Sequence, residues 1–297
     1  MPRLFLTGAT GQVGSALAAQ ARSAGWDVTA PGRADLNLES ARTGEGLAPL
    51  LSGHDLLVNA AAFTKVDLAE SQPDAAFAAN RDGPAALASA AHALGIPLLH
   101  ISTDYVFDGT ADRPYREEDT VCPLGVYGAS KGAGEQAVRA AAPRHVILRT
   151  AWVFSAHGQN FLKTMLKLGA ERPELRVVAD QQGGPTPADD IAACLLRMGT
   201  VLLRDQPATT DPRWGTFHFA GSPSTSWHGF AAEIFRQAAA DGRRVPLLTP
   251  IRTVDYPTPA RRPAWSVLDC AKIERLYGIP APDWHAGIAR ALEHLPA

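Results

Sequence analysis

LFLTGATGQVG, residues 4–14, runs from a short apolar stretch through a glycine-rich turn into the head of an alanine-rich amphipathic segment. Gly8, Gly11 and Gly14 fall in a GxxGxxG spacing. Gly8 permits the tight turn, Gly11 lets the backbone approach a pyrophosphate, and Gly14 lets helix and strand pack closely. A helix that opens here presents unpaired N–H groups and the positive end of its dipole to an anion. A glycine-rich turn without a ligand would have no need of strand, turn and helix in this order. Dinucleotide binding is therefore expected.

The same cadence continues outward. WDVTA (26–30), DLLVNA (55–60), PLLHIS (97–102) and HVILRT (145–150) read as strands, with helical segments near 12–24, 73–94 and 127–142. Strand and helix alternating in this way predict an α/β fold, a Rossmann-like doubly wound parallel sheet. Strands apolar on both faces suit a sheet covered by helices on both sides. After Thr150, proline and glycine become frequent, as in QQGGPTPADD (181–190) and TPIRTVDYPTPARRPAW (249–265), which predicts a smaller, interleaved α/β substrate-binding domain with long ordered loops. TFHFAG (216–221) alternates like a strand that returns to the main sheet. The expected division is a dinucleotide-binding domain at 1–150, with part of 190–228, and a substrate-binding domain at 151–189 and 229–297.

A net charge of -2 over 297 residues supplies no basic face, so nucleic acid is not an expected partner. The first apolar run ends at Gly8, far short of a signal segment or a membrane span, and a cytoplasmic protein with no membrane partner is expected. Cys122, Cys194 and Cys270 form no CxxC pair and have no histidine at ligand spacing, so they read as incidental thiols rather than metal ligands.

The dinucleotide is read at the end of the second strand. VTAPGRADL places no acid there to take the ribose hydroxyls of NADH, whereas Arg33 suits the 2′-phosphate of NADPH. NADPH is favoured. Asp35, two residues on, keeps NADH open, and a solvated Arg33 is the plainer alternative.

STDYVFDG (102–109) ends the fourth strand at Thr103, and VYGASKGAGE (126–135) sets Tyr127 four residues before Lys131, on one helix face. Tyr-x-x-x-Lys alone decides nothing. After a GxxGxxG turn, a hydroxyl, a phenol and an ammonium in this order suit hydride reduction of a ketone: Thr103 holds the carbonyl oxygen, Tyr127 donates the proton, and Lys131 is expected to lower the phenol's pKa.

These residues resemble the extended short-chain dehydrogenase/reductases, and the longer strings narrow the resemblance to the dTDP-4-dehydrorhamnose reductase family. The specific strings are STDYVFDG, VVADQQGGPT and YPTPARRPAWS, within a likeness running from residue 6 to about 266. The resemblance implies reduction of the C4 ketone of dTDP-4-dehydro-β-L-rhamnose to dTDP-L-rhamnose, with a dTDP-sugar as the partner molecule. It implies that Gln12 and Val13 hold the pyrophosphate with Gly11, that Lys131 also binds the nicotinamide ribose, that Asp35 and Leu36 flank the adenine, that Ala62, Phe63 and Thr64 line the cofactor, and that Asp104 and Trp152 touch the sugar. Some family members join two subunits through Mg²⁺ held by glutamates. Ala16 stands at one such position, and a methyl cannot ligate a hard cation. Asp189, Asp190 or Glu293 could still bind Mg²⁺ weakly, and a homodimer stays an open expectation.

Other residues admit two readings. Trp152 is a substrate contact or plain core. Asn160 counts among the polar loop residues suited to a nucleotide sugar. Arg262, beside Arg261, is a diphosphate ligand or a solvated cation. His100 reads as a satisfied core histidine, and Ser226 as the cap of a helix opening at Trp227 and His228. Two rival functions share the triad or the cofactor: another nucleotide-sugar reductase or epimerase, and a non-catalytic NADP-binding regulatory subunit of a methionine adenosyltransferase.

Overall fold

The computed structural model of the protein describes residues 1–40 and 44–295. β1 (Arg3–Thr7) passes through the glycine-rich turn into α1 (Gln12–Ser23), followed by β2 (Asp27–Thr29), α2 (Gly44–Leu51) and β3 (Leu56–Asn59). α3 (Gly83–Ala93), β4 (Leu98–Thr103), α4 (Val126–Ala141) and β5 (His145–Thr150) continue the alternation. The later half contributes α5 (Phe161–Glu171), β6 (Glu174–Val178), α6 (Ala188–Asp205), β7 (Gly215–His218), α7 (Trp227–Ala240), β8 (Leu247–Ile251), α8 (Ala271–Tyr277) and α9 (Trp284–Glu293).

Six strands form one parallel sheet in the order β7-β5-β4-β3-β1-β2. Their period-2 side chains divide between two cores. Leu4, Leu6, Leu56 and Val58 point towards α1 and α6, while Phe5, Leu57 and Ile147 point towards α2, α3 and α4. Burial on both faces is what the near-continuous apolar strands encode. The order reverses at β1, between β2 and β3. There the turn at Gly8, with φ +76°, runs so close to the third strand that a Cβ would stand 2.5 Å from the amide nitrogen of Ala61. Only glycine fits that contact, and it places the turn in the crevice where such sheets bind ligands.

The expected sheet extension at 216–221 is present as β7, which pairs with β5 in parallel register. A second cluster, including Leu162, Phe230, Ile234, Phe235, Trp284 and Ile288, packs α5, α7 and α9 beside the two-stranded β6–β8 ribbon. Ile273, Tyr277 and Ile279 belong instead to the core beneath α1 and α6, although 229–297 was expected to lie wholly in the smaller part. The chain thus returns to the main sheet between α7 and α9.

The expected helix at 73–94 is interrupted. A short helix at Pro73–Phe77 gives way to a π-helical turn at Ala78–Asp82 before α3. The widened turn brings Asn80 inward, where its Oδ1 accepts from the Phe63 amide at 2.8 Å and its Nδ2 donates to the Phe63 carbonyl and to Ser130 Oγ. Periodicity gave no sign of this, because the alanine-rich run at 75–93 has too little contrast between its faces to reveal an inserted residue.

Candidate active site

Beside the β1–α1 turn lies a cleft of about 550 Å³, lined at one end by Gly8, Thr10 and Gly11 and at its sides by Leu36, Ala62, Phe63 and Thr64. α1 starts with Gly11 in extended conformation, no side-chain cap and no acid in its first turn, so its N-terminal amides are suited to phosphate rather than already matched by a carboxylate. The cleft's lining and this donor set fit a dinucleotide. Arg33 also lines it, with Nη2 2.6 Å from Oε1 of Glu39. Asp35 stands outside the lining and closes its own turn by accepting the Gly32 amide at 3.1 Å.

Gln12 and Val13 are likewise absent from the lining. Val13 packs against the core beneath α1. Gln12 Oε1 accepts from Ser155 Oγ at 3.0 Å and from Asn160 Nδ2 at 2.8 Å. Asn160 Oδ1 in turn caps α5 by accepting the Lys163 amide. The Asn160 amide is thus occupied in joining α1 to the start of α5, a structural role that its setting in a polar loop did not reveal.

Thr103 ends β4, one strand over from β3, and its Oγ1 donates to Asp104 Oδ1 at 3.0 Å while accepting the Tyr105 amide. Tyr127 and Lys131 project from the first turns of α4. The helix can approach β4 this closely because Gly128 faces the Tyr105 carbonyl, where a Cβ would come within 2.1 Å of the oxygen. Tyr105 meets the Tyr127 ring edge-on at 5.7 Å between centroids. Tyr127 keeps some surface exposure, yet the protein around its phenol pushes its pKa up to about 12 by desolvation, against a hydrogen bond with Thr103 that lowers it and an Asp104 charge that raises it further. The expected lowering by Lys131 is not what governs this phenol. Lys131 Nζ donates to the Ile101 carbonyl at 2.6 Å and lies 3.5 Å from His100 Nε2, and burial brings its pKa down to about 8 against the opposing pull of Glu135.

His100 is fully buried and bonded to Asn59 through Nδ1 at 3.0 Å, as a core histidine should be. Asp104 is also buried, and desolvation raises its carboxyl to about 6 despite hydrogen bonds from Ser266 and Thr103.

Glu135, one turn beyond Lys131, escaped sequence reasoning. Its Oε1 accepts from Ser102 Oγ at 2.6 Å and Arg149 Nε at 2.8 Å, and its Oε2 from Arg149 and Arg139, both at 2.7 Å. Burial would raise this carboxyl, but Arg149 prevails and holds it below its usual value. Through Ser102, next to Thr103, the pair fixes α4 against the end of β4.

Trp152 follows β5 with φ +46°, a left-handed backbone rare outside glycine. Its indole stacks on Trp227 at 3.6 Å and fills the space that a side chain at Gly183 would need. Trp227 opens α7, whose cap is Ser226 as expected, with Oγ accepting the Gly229 amide at 3.0 Å. Arg262 is not a solvated cation. It forms a two-pronged bond with Asp67, at 2.8 and 3.1 Å, and joins the C-terminal loop to the segment beyond the cofactor wall.

Asp190 Oδ2 is 2.6 Å from Arg290, and among the described residues no three His, Cys, Asp or Glu side chains are grouped to hold a metal. The cysteines are free thiols, with Cys194 buried and Cys122 exposed.

The sequence matches the RmlD substrate binding domain family over residues 2–296. It is 47% identical over 289 residues to a dTDP-4-dehydrorhamnose reductase of Sinorhizobium fredii, covering 97% of this chain and 96% of that one. Among solved structures, a dTDP-4-dehydrorhamnose reductase of Clostridium acetobutylicum superposes with TM-score 0.88 at 35% identity, covering 98% of each chain. Another from Bacillus anthracis, in complex with NADP, gives TM-score 0.88 at 32% identity, covering 99% of this chain and 100% of that one.

Proposed function

The chain belongs to the dTDP-4-dehydrorhamnose reductase family, and from that premise we propose how its own residues carry out the family's reaction. It is an oxidoreductase that reduces the C4 ketone of dTDP-4-dehydro-β-L-rhamnose to dTDP-L-rhamnose with a nicotinamide cofactor. The observation that carries the assignment of roles is Tyr127 against Thr103 at the carboxyl end of β4, on a helix held one strand away from the dinucleotide cleft.

When bound, the nicotinamide supplies the hydride for C4. Tyr127, with its pKa near 12, keeps its proton at neutral pH and releases it to the far more basic C4 alkoxide as charge develops. Thr103 holds the same oxygen; its hydroxyl turns from Asp104 Oδ1 towards the substrate when the carbonyl arrives. Lys131, still mostly charged at neutral pH, adds a positive field beneath the phenol and reaches the cofactor ribose from its perch on the Ile101 carbonyl. Trp152, fixed on Trp227, supplies the apolar wall for the hexose, with Asp104 beside it. Arg262 accompanies the diphosphate, exchanging Asp67 for phosphate oxygens.

NADPH is the preferred cofactor through Arg33, and no Mg²⁺ bridges subunits at Ala16. Residues 1–150 with β7 and α6 form the cofactor part, and α5, α7 and α9 with the β6–β8 ribbon the substrate part. No described helix is long and apolar enough to cross a membrane.

The test is Tyr127→Phe, followed by loss of reduced-cofactor absorbance with dTDP-4-dehydro-L-rhamnose. The expected result is a fall in kcat of roughly 10² or more with cofactor affinity little changed. Near-normal turnover would pass the proton to another acid, with Asp104 the nearest.

A further inference from the structure

We propose that Glu39 sets how strongly this enzyme discriminates between NADPH and NADH. The inference rests on the reading that Arg33 faces the 2′-phosphate.

No acid closes β2, where VTAPGR runs directly to Arg33. The fold supplies one six residues beyond Arg33. Pro31, Gly32, Arg33, Leu36, Asn37 and Glu39 line the same end of the cleft. The two charged groups of that set are bonded to one another at 2.6 Å.

Their mountings differ. The Glu39 amide is held by Asn37 Oδ1 at 3.1 Å. Leu38, beside it, is 7% exposed and wedged against Gly83, where a Cβ would lie 2.8 Å from that of Leu38. Arg33 reaches its partner on a side chain that is 73% exposed. The carboxylate is therefore the fixed member of the pair and the guanidinium the movable one. Asp35 offers no substitute, since its Oδ2 accepts the Gly32 amide. Among the described residues, the other cation of the lining is Lys65, which enters from the segment after β3.

The two cofactors ask opposite things of this pair. A 2′-phosphate must draw Arg33 away from Glu39 and then tolerate a carboxylate nearby, so Glu39 opposes NADPH twice. A 2′-hydroxyl donates to a carboxylate and leaves the Arg33–Glu39 bond intact, so Glu39 favours NADH. One residue thus moderates a preference that Arg33 alone would make steep.

The experiment is equilibrium binding of NADP⁺ and NAD⁺ to the parent, Glu39→Gln, Arg33→Ala and the double variant, measured calorimetrically at low and raised salt, with each Tm recorded. Glu39→Gln is expected to tighten NADP⁺ about five-fold, as suits an exposed ion pair, and to weaken NAD⁺. The gain should shrink in the Arg33→Ala background and with added salt. Unchanged or weaker NADP⁺ binding by Glu39→Gln, while Arg33→Ala still loses NADP⁺, overturns the role of Glu39 alone. If Arg33→Ala leaves NADP⁺ binding intact, the reading of Arg33 falls and this inference with it.

Discussion

Replacing Gly128 by alanine should disable the enzyme without touching any group that reacts. A Cβ there would stand 2.1 Å from the Tyr105 carbonyl oxygen and 2.9 Å from Pro123 Cβ. The oxygen belongs to the backbone just after Thr103, so it cannot swing aside as a flexible side chain would. Ordinary contact returns only if α4 and the end of β4 part by roughly 1 Å, and a misplacement of that size can cost about 10² in rate. Because Tyr127 and Lys131 ride on α4 and Thr103 on β4, the gap opens inside the catalytic set. Stability should fall by about 1–3 kcal/mol, the usual range for overpacking. Gly132→Ala is the matched control. Its Cβ would meet only side-chain methyls, of Val121 at 3.1 Å and Val106 at 4.0 Å, so kcat should stay within about three-fold while the helix gains from the better helix former. Steady-state kcat, with Tm from thermal unfolding, separates the two. Full activity in a folded Gly128→Ala protein would refute the claim that this contact sets the distance between phenol and threonine.

Asp104 gives a pH signature: its folded pKa of about 6 exceeds the ordinary 3.8, so its contribution favours the fold at pH below 3.8 and is lost as pH rises through 6. Asp104→Asn should remove roughly 2 kcal/mol of that pH dependence in denaturant titrations at pH 4 and pH 7, and a difference profile identical to the parent's would show the carboxyl to be ordinary. Trp227→Leu takes away the surface on which Trp152 stacks, so KM for the dTDP-sugar should rise about ten-fold with KM for the cofactor unchanged; equal effects on both would mean general unfolding of the site. Chelation with EDTA, or added Mg²⁺, should leave sedimentation and turnover unaltered, given Ala16 and the Asp190–Arg290 pair; a metal-dependent change of assembly would contradict this.

Much of this site could be read before any coordinates, and the limits follow one physical line. Gly8, Gly11, Tyr127, Lys131 and Thr103 were legible because their geometry is local: a turn, one helical face and a strand end. The β7 extension was legible for the same reason, as an alternating run needs a sheet to bury it. What stayed hidden depends on partners far apart in the chain. Asp67 and Arg262 are 195 residues apart, and Gln12 and Asn160 are 148 apart. Both pairs look like free polar side chains until the loops are placed. Glu135 carries no local signal on its helix, yet Arg149 lies in a strand with every residue buried and is 1% exposed, which calls for a buried acid. The effect expected of Lys131 on the phenol failed similarly: spacing put the two on one helix face, but the Ile101 carbonyl, contributed by β4, takes the ammonium.

The central claim is that this site reduces a nucleotide-linked 4-keto sugar, with the C-terminal half recognising the nucleotide. Its most direct measurement is kcat/KM for dTDP-4-dehydro-L-rhamnose against the free 4-keto sugar, under saturating NADPH. A site built to hydrogen-bond the absent groups should favour the dTDP-sugar by about 10⁴ or more. Equal values for the two would contradict the account, leaving Trp152, Arg262 and the loops around them without the substrate assigned to them.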